Sequence, residues 1–86
     1  MTWRIISSQE DLEEAIRTSY ENDVVIFKHS TTCSISHMAK LRLESNWSFT
    51  DEIVPYCLDL KVYRDLSNEI SERFQVVHES PQLLLI

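Results

Sequence analysis

The feature that most constrains this chain is an alternation. Four short apolar runs, Trp3–Ile6, Val24–Lys28, Ile53–Leu60 and Gln82–Ile86, are separated by three stretches with apolar residues at helical spacing. In the first stretch Leu12, Ala15, Ile16, Ser19 and Tyr20 recur at i, i+3, i+4, i+7 and i+8, with acids on the other face. Ser7 and Ser8 stand before it as N-cap residues, with Glu10 and Asp11 three positions on, a capping-box arrangement. The second stretch starts near Cys33 and ends at Asn46. Its spacing predicts Ile35, Met38 and Ala39 toward the core and Lys40, Arg42 and Glu44 toward water. The third, Arg64–Phe74, carries Leu66, Ile70 and Phe74 at i, i+4 and i+8. Val24–Lys28 is continuously apolar up to its last residue, as expected of a strand covered on both faces. The order β, α, β, α, β, α, β predicts one α/β domain spanning residues 1–86, a sheet layered with helices. The chain stops within Leu83-Leu84-Leu85-Ile86 with no turn after it, which would leave an open sheet edge, so the natural protein is expected to continue.

Composition removes several function classes. No glycine occurs among the 86 residues, which rules out a Gly-rich phosphate loop and the dinucleotide fingerprint and leaves the turns to residues such as Asn22-Asp23 and Asn46. A net charge of −6 disfavours nucleic acid, whose binding rests on Lys and Arg neutralising phosphates, and disfavours docking to an anionic membrane. The apolar runs are too short to span a bilayer, and Met1-Thr-Trp-Arg is not followed by the apolar segment of a secretory signal. The two cysteines, Cys33 and Cys57, lack zinc-finger spacing. A reducing cytoplasm, with both thiols free, is the expected setting.

One stretch carries the chemistry. Val24–Met38 reads VVIFKHSTTCSISHM: a buried strand, small hydroxyl residues, one cysteine, then a helix. That arrangement places Cys33 at a helix N-terminus on the carboxyl edge of the sheet, where ligands collect in open α/β folds and where the helix dipole and free backbone N–H groups favour an anion. The thiolate is the reactive form of cysteine, and Lys28 and His29 could add positive charge beside it. Spacing alone leaves a buried structural cysteine equally open.

The motifs narrow the choice. VVIFKHSTTCSIS resembles the strand-to-active-site segment of thioredoxins and glutaredoxins, and FQVVHESPQLLLI resembles the segment carrying their cis-proline. KHSTTCSIS, YRDLSNEIS and HESPQ together resemble the monothiol bacilliredoxin family, thioredoxin-like proteins whose usual motif is Thr-Cys-Pro-Ile-Ser. Thr32, Cys33, Ile35 and Ser36 match that motif, while Ser34 replaces the usual proline, a residue favoured in a first helical turn. The resemblance implies a thioredoxin-like fold, a mixed sheet flanked by helices, with one further strand and helix beyond Ile86. It places Ser36 where dithiol relatives carry a resolving cysteine, and Phe27 where thioredoxins carry a buried acid.

The implied function is thiol–disulfide exchange through Cys33 alone, removing a bacillithiol-type small thiol from S-thiolated client proteins. That small thiol would be a co-substrate, with no tightly bound cofactor. Exchange is fastest for an attacking thiol that ionises near ambient pH. Lys28, Thr32, Ser34 and Ser36 would support Cys33. Ser80 and Pro81, through a cis bond, would present backbone to an extended substrate as an added strand does. A trans-proline at a strand start is the plainer reading of that dipeptide. His29, His37 and His78 lack tight ligand spacing, so no metal is expected; His37 is expected to face solvent and Cys57 to pack. A thioredoxin-like binding module without turnover, and an iron–sulfur or thiol carrier, are the competing functions.

Overall fold

A computed structural model of the protein describes residues 2–30, 33–45, 53–77 and 81–86. The elements run β1 (Arg4–Ile5), α1 (Gln9–Thr18), β2 (Asp23–His29), α2 (Ser34–Ser45), β3 (Ile53–Asp59), α3 (Arg64–Arg73) and β4 (Gln82–Leu85). The four strands form one sheet in the order β1-β3-β2-β4. β1, β3 and β2 are parallel, and β4 is antiparallel to β2. The predicted mixed sheet flanked by helices is therefore what forms. Its continuously apolar strand β2 lies at the centre and is buried from Val24 to His29.

Alternation along β2 divides the molecule into two layers. Val24 and Ile26 join Ile6, Leu12, Ala15, Tyr56, Leu58 and Ile70 in the main core, packed with α1 and α3. Gln9 and Arg73 tie these two helices together at the surface: Gln9 Nε2 donates to Glu69 at 2.8 Å, and Arg73 reaches Glu13 at 2.6 Å. Helix α1 starts as its sequence predicts. The Ser8 hydroxyl accepts the Asp11 N–H, and the Asp11 carboxylate accepts from the Ser7 backbone and hydroxyl, which holds that carboxyl below its usual range. Tyr20, expected on the core face of α1, is exposed instead, because the helix stops at Thr18 and Tyr20 falls in the turn beyond it.

Phe27 and His29 point to the other layer, toward α2. Phe27 lies between Trp3 and His29, with both ring centroids at 5.8 Å, and Trp3 Nε1 donates to Glu44 near the end of α2. This helix corrects the sequence reading. Ile35 is 70% exposed and Met38 52% exposed, whereas Ser36 is fully buried and Ala39, Lys40 and Leu43 are half-buried. A periodicity argument treats serine as polar and turns the apolar residues inward. Here polar partners draw Ser36 under the helix, and the 3.6-residue repeat then carries Ile35 and Met38 outward.

Helix α3 ends without glycine. Val76 N–H donates to Ser71 C=O and Gln75 N–H to Glu72 C=O, the paired bonds of a Schellman cap. Gln75 takes the left-handed position at φ 52° that glycine usually fills.

Candidate functional site

The end of β2 and the start of α2 form a hydrogen-bonded turn around Cys33. The Cys33 N–H donates to Ser30 C=O at 3.1 Å, and the Cys33 carbonyl accepts the His37 N–H at 3.0 Å. Cys33 is thus the residue on which α2 begins, where backbone amides lacking intrahelical partners and the positive end of the helix dipole favour an anion. Its side chain is partly exposed and carries a free thiol. Ser34 and Ile35 lie outward beside it.

Three residues on, the Ser36 hydroxyl is buried and engaged twice. It accepts the Ser30 N–H at 3.0 Å and pairs with His29 Nδ1 at 2.7 Å. The Ser36 hydroxyl thus ties the helix start to the strand end. His29 is 6% exposed. Burial, with Lys40 and His37 adding like charge, outweighs Asp59 and Glu44 and pushes its imidazole below the usual histidine range. Its neutral form is therefore favoured.

Lys28 does not lend its charge to the turn in the way the sequence suggested. Successive strand residues face opposite ways, so Lys28 points away from His29 and into the α3 layer. There it is fully buried, donating to Ser67 C=O at 2.9 Å and Ser71 Oγ at 2.7 Å. Burial lowers its pKa. Its work is to hold the end of β2 against α3.

The β2–β4 register pairs Lys28 with Gln82 and Phe27 with Leu83. Half-buried Pro81, one residue before Gln82, therefore lies at the same rim as His29 and the Cys33 turn. Thr32 and Ser80 lie outside the described residues, as does His78. Cys57 faces the α2 layer opposite Phe27 in register and is buried; desolvation raises its pKa, so it stays a protonated packing thiol, as its strand position suggested. His37 is exposed, as expected. Among the described residues no group of three or more His, Cys, Asp or Glu side chains could hold a metal ion, and no helix is long and apolar enough to cross a membrane.

The chain as a whole has counterparts among known proteins. The family profile described as Monothiol bacilliredoxin BrxC matches residues 4–86. The chain belongs to the monothiol bacilliredoxin family. A solved structure described as a candidate oxidoreductase with a thioredoxin fold superposes with a TM-score of 0.79 at 30% identity, covering 96% of this chain and 71% of that one. Family membership carries a thioredoxin-like redox role, and the sheet order and flanking helices agree with that fold. Sequence reasoning missed the pairing of His29 with Ser36. The signal was available: Phe27 and His29 share one face of β2 by alternation, and Lys28 takes the other.

Proposed function

We propose that the protein removes a small thiol of the bacillithiol type from protein mixed disulfides, with Cys33 as its single nucleophile. The Cys33 thiolate attacks the sulfur of the cap. A disulfide forms between Cys33 and the small thiol, the cap–client bond breaks, and the client sulfur leaves as a thiolate that takes up a proton. A second small thiol then attacks the Cys33 adduct as its thiolate, leaving as the symmetrical disulfide and returning Cys33 to the thiolate. Each turnover consumes one external small thiol: the mixed disulfide and that thiol become the client thiol and the symmetrical disulfide, and no internal disulfide is needed.

The observation that carries this reading is the setting of the two sulfurs. Cys33 is partly exposed where α2 starts, while the position one turn on is a buried, bonded serine and Cys57 is a buried thiol. An adduct on Cys33 has no adjacent thiol to displace it, so an external one must. In this scheme Thr32 and Ser34 flank the sulfur, Ser36 holds the turn from behind, and Lys28 supports it indirectly by anchoring the end of β2 to α3. The Ser80 backbone, bent by a cis bond to Pro81, receives the client strand.

The test is intact-mass analysis after mixing the protein with a bacillithiol-capped client, and separately with a glutathione-capped one. The expected result is loss of the cap from the client and a matching gain on Cys33, absent in Cys33→Ser, with Cys57 unmodified. Transfer from neither client, or transfer that persists in Cys33→Ser, overturns the proposal.

A further inference from the structure

The scheme above gives His29 no part, yet this residue is built into the turn behind the sulfur. A serine hydroxyl has one proton and two lone pairs. The Ser30 N–H occupies one acceptor direction of Ser36, and His29 Nδ1 lies within hydrogen-bond distance of the same hydroxyl at 2.7 Å. Ser30 in turn accepts the Cys33 N–H, so a closed path runs from the imidazole through Ser36 and Ser30 to the backbone of Cys33. Further contacts surround this path. The ring stacks on Phe27 at 24°, Trp3 packs against the same Phe27 ring, and the His29 carbonyl accepts the Leu60 N–H at 2.9 Å.

We propose that His29 is a positioning residue for Cys33, its imidazole clamping the first turn of α2 to the end of β2 through the Ser36 hydroxyl and so fixing where the sulfur is presented. This rests on the reading of Cys33 as the nucleophile. A neutral imidazole can take the Ser36 proton on Nδ1, whereas an imidazolium has only N–H to offer. With Nδ1 as the acceptor of the Ser36 proton, protonation of His29 reverses that bond, sends the Ser36 proton to another acceptor and disturbs the turn. Among the described residues, the charged and titratable groups that act on the ring through space are Lys40, His37 and Glu44 on α2 and Asp59 on β3. Phe27, which contacts both the ring and Trp3, carries no charge.

The test measures the rate of iodoacetamide alkylation at Cys33 in the full chain from about pH 5 to pH 9, across the histidine range. Intact mass reads the product and Cys57 serves as the unmodified reference. His29→Phe keeps the ring stack and removes the nitrogen; His29→Asn puts an amide near the place of Nδ1 without a titrating group. Losing the hydrogen bond in His29→Phe is expected to slow Cys33 by about tenfold at pH 7, while His29→Asn stays within about twofold of wild type. The wild-type profile is expected to break below the usual histidine range, and both variants to lack that break. Wild-type rates in His29→Phe, or a break that survives in His29→Asn, overturn the clamp. If His29→Phe fails to fold, by circular dichroism, the profile of His29→Asn decides. Alkylation that follows this pattern while no cap is transferred leaves the clamp standing and removes the exchange reaction instead.

Discussion

Replacing Ser36 by alanine tests the claim that a serine, and not an apolar residue, sets the seat of α2. The substitution deletes one oxygen from a fully buried position. Two groups lose their partner there, the Ser30 N–H at 3.0 Å and His29 Nδ1 at 2.7 Å, both on residues at most 6% exposed. A buried polar group deprived of its partner costs about 1–3 kcal/mol, so two such groups near the rim, where some water can enter, cost about 2–4 kcal/mol together. That is a large part of the roughly 4–13 kcal/mol expected at about 0.05–0.15 kcal/mol per residue. It corresponds to a fall in Tm of roughly 10–25 °C for a domain of this size. Urea melts followed by circular dichroism measure it, with Ser34→Ala as a neighbouring exposed control expected within about 0.5 kcal/mol of wild type. Combining Ser36→Ala with His29→Phe should cost clearly less than the sum of the two, because both break the same bond. If Ser36→Ala is as stable as Ser34→Ala, the hydroxyl does not hold the helix and the account of α2 fails.

Three other outcomes follow from the same structure. His29 has a folded-state pKa below its unfolded value, so between the two the unfolded chain binds more protons. Stability is whole above about pH 6.5 and falls as pH drops through the depressed folded value; His29→Asn should flatten that slope in melts at about pH 7.5 and pH 5. Lys28 is buried along its whole length. Lys28→Ala should therefore cost about 2–4 kcal/mol in a urea melt by emptying that space, and Lys28→Met distinctly less, since it refills most of the stem. Gln75→Gly should raise stability by about 0.5–1 kcal/mol, because the left-handed position at φ 52° then carries no Cβ; an unchanged or lowered melting midpoint would refute that.

Much of this was legible in the residues because the governing physics is local. Apolar period separates a strand such as Val24–Lys28 from a helix such as Arg64–Phe74. A serine with an acid three residues on marks the start of α1, and each of these readings needs only neighbours in sequence. The KHSTTCSIS and HESPQ stretches likewise carry the thiol and the proline within short local patterns. The reading of α2 failed for the complementary reason. Its sequence has no clean apolar stripe, so the phase was assigned to Ile35 and Met38, while the deciding contact was polar and came from β2.

The sequence by itself determined the order of elements and the placing of Cys33 where a strand hands over to a helix, since both follow from patterns within a few residues. Only the tertiary structure decided that Ser36 is buried, that His29 supports it, and that Lys28 serves α3. It also brought Pro81 to the rim of the Cys33 turn. A buried polar group is tolerated only if a partner meets it, and which partner does so depends on how strands and helices distant in sequence are brought together.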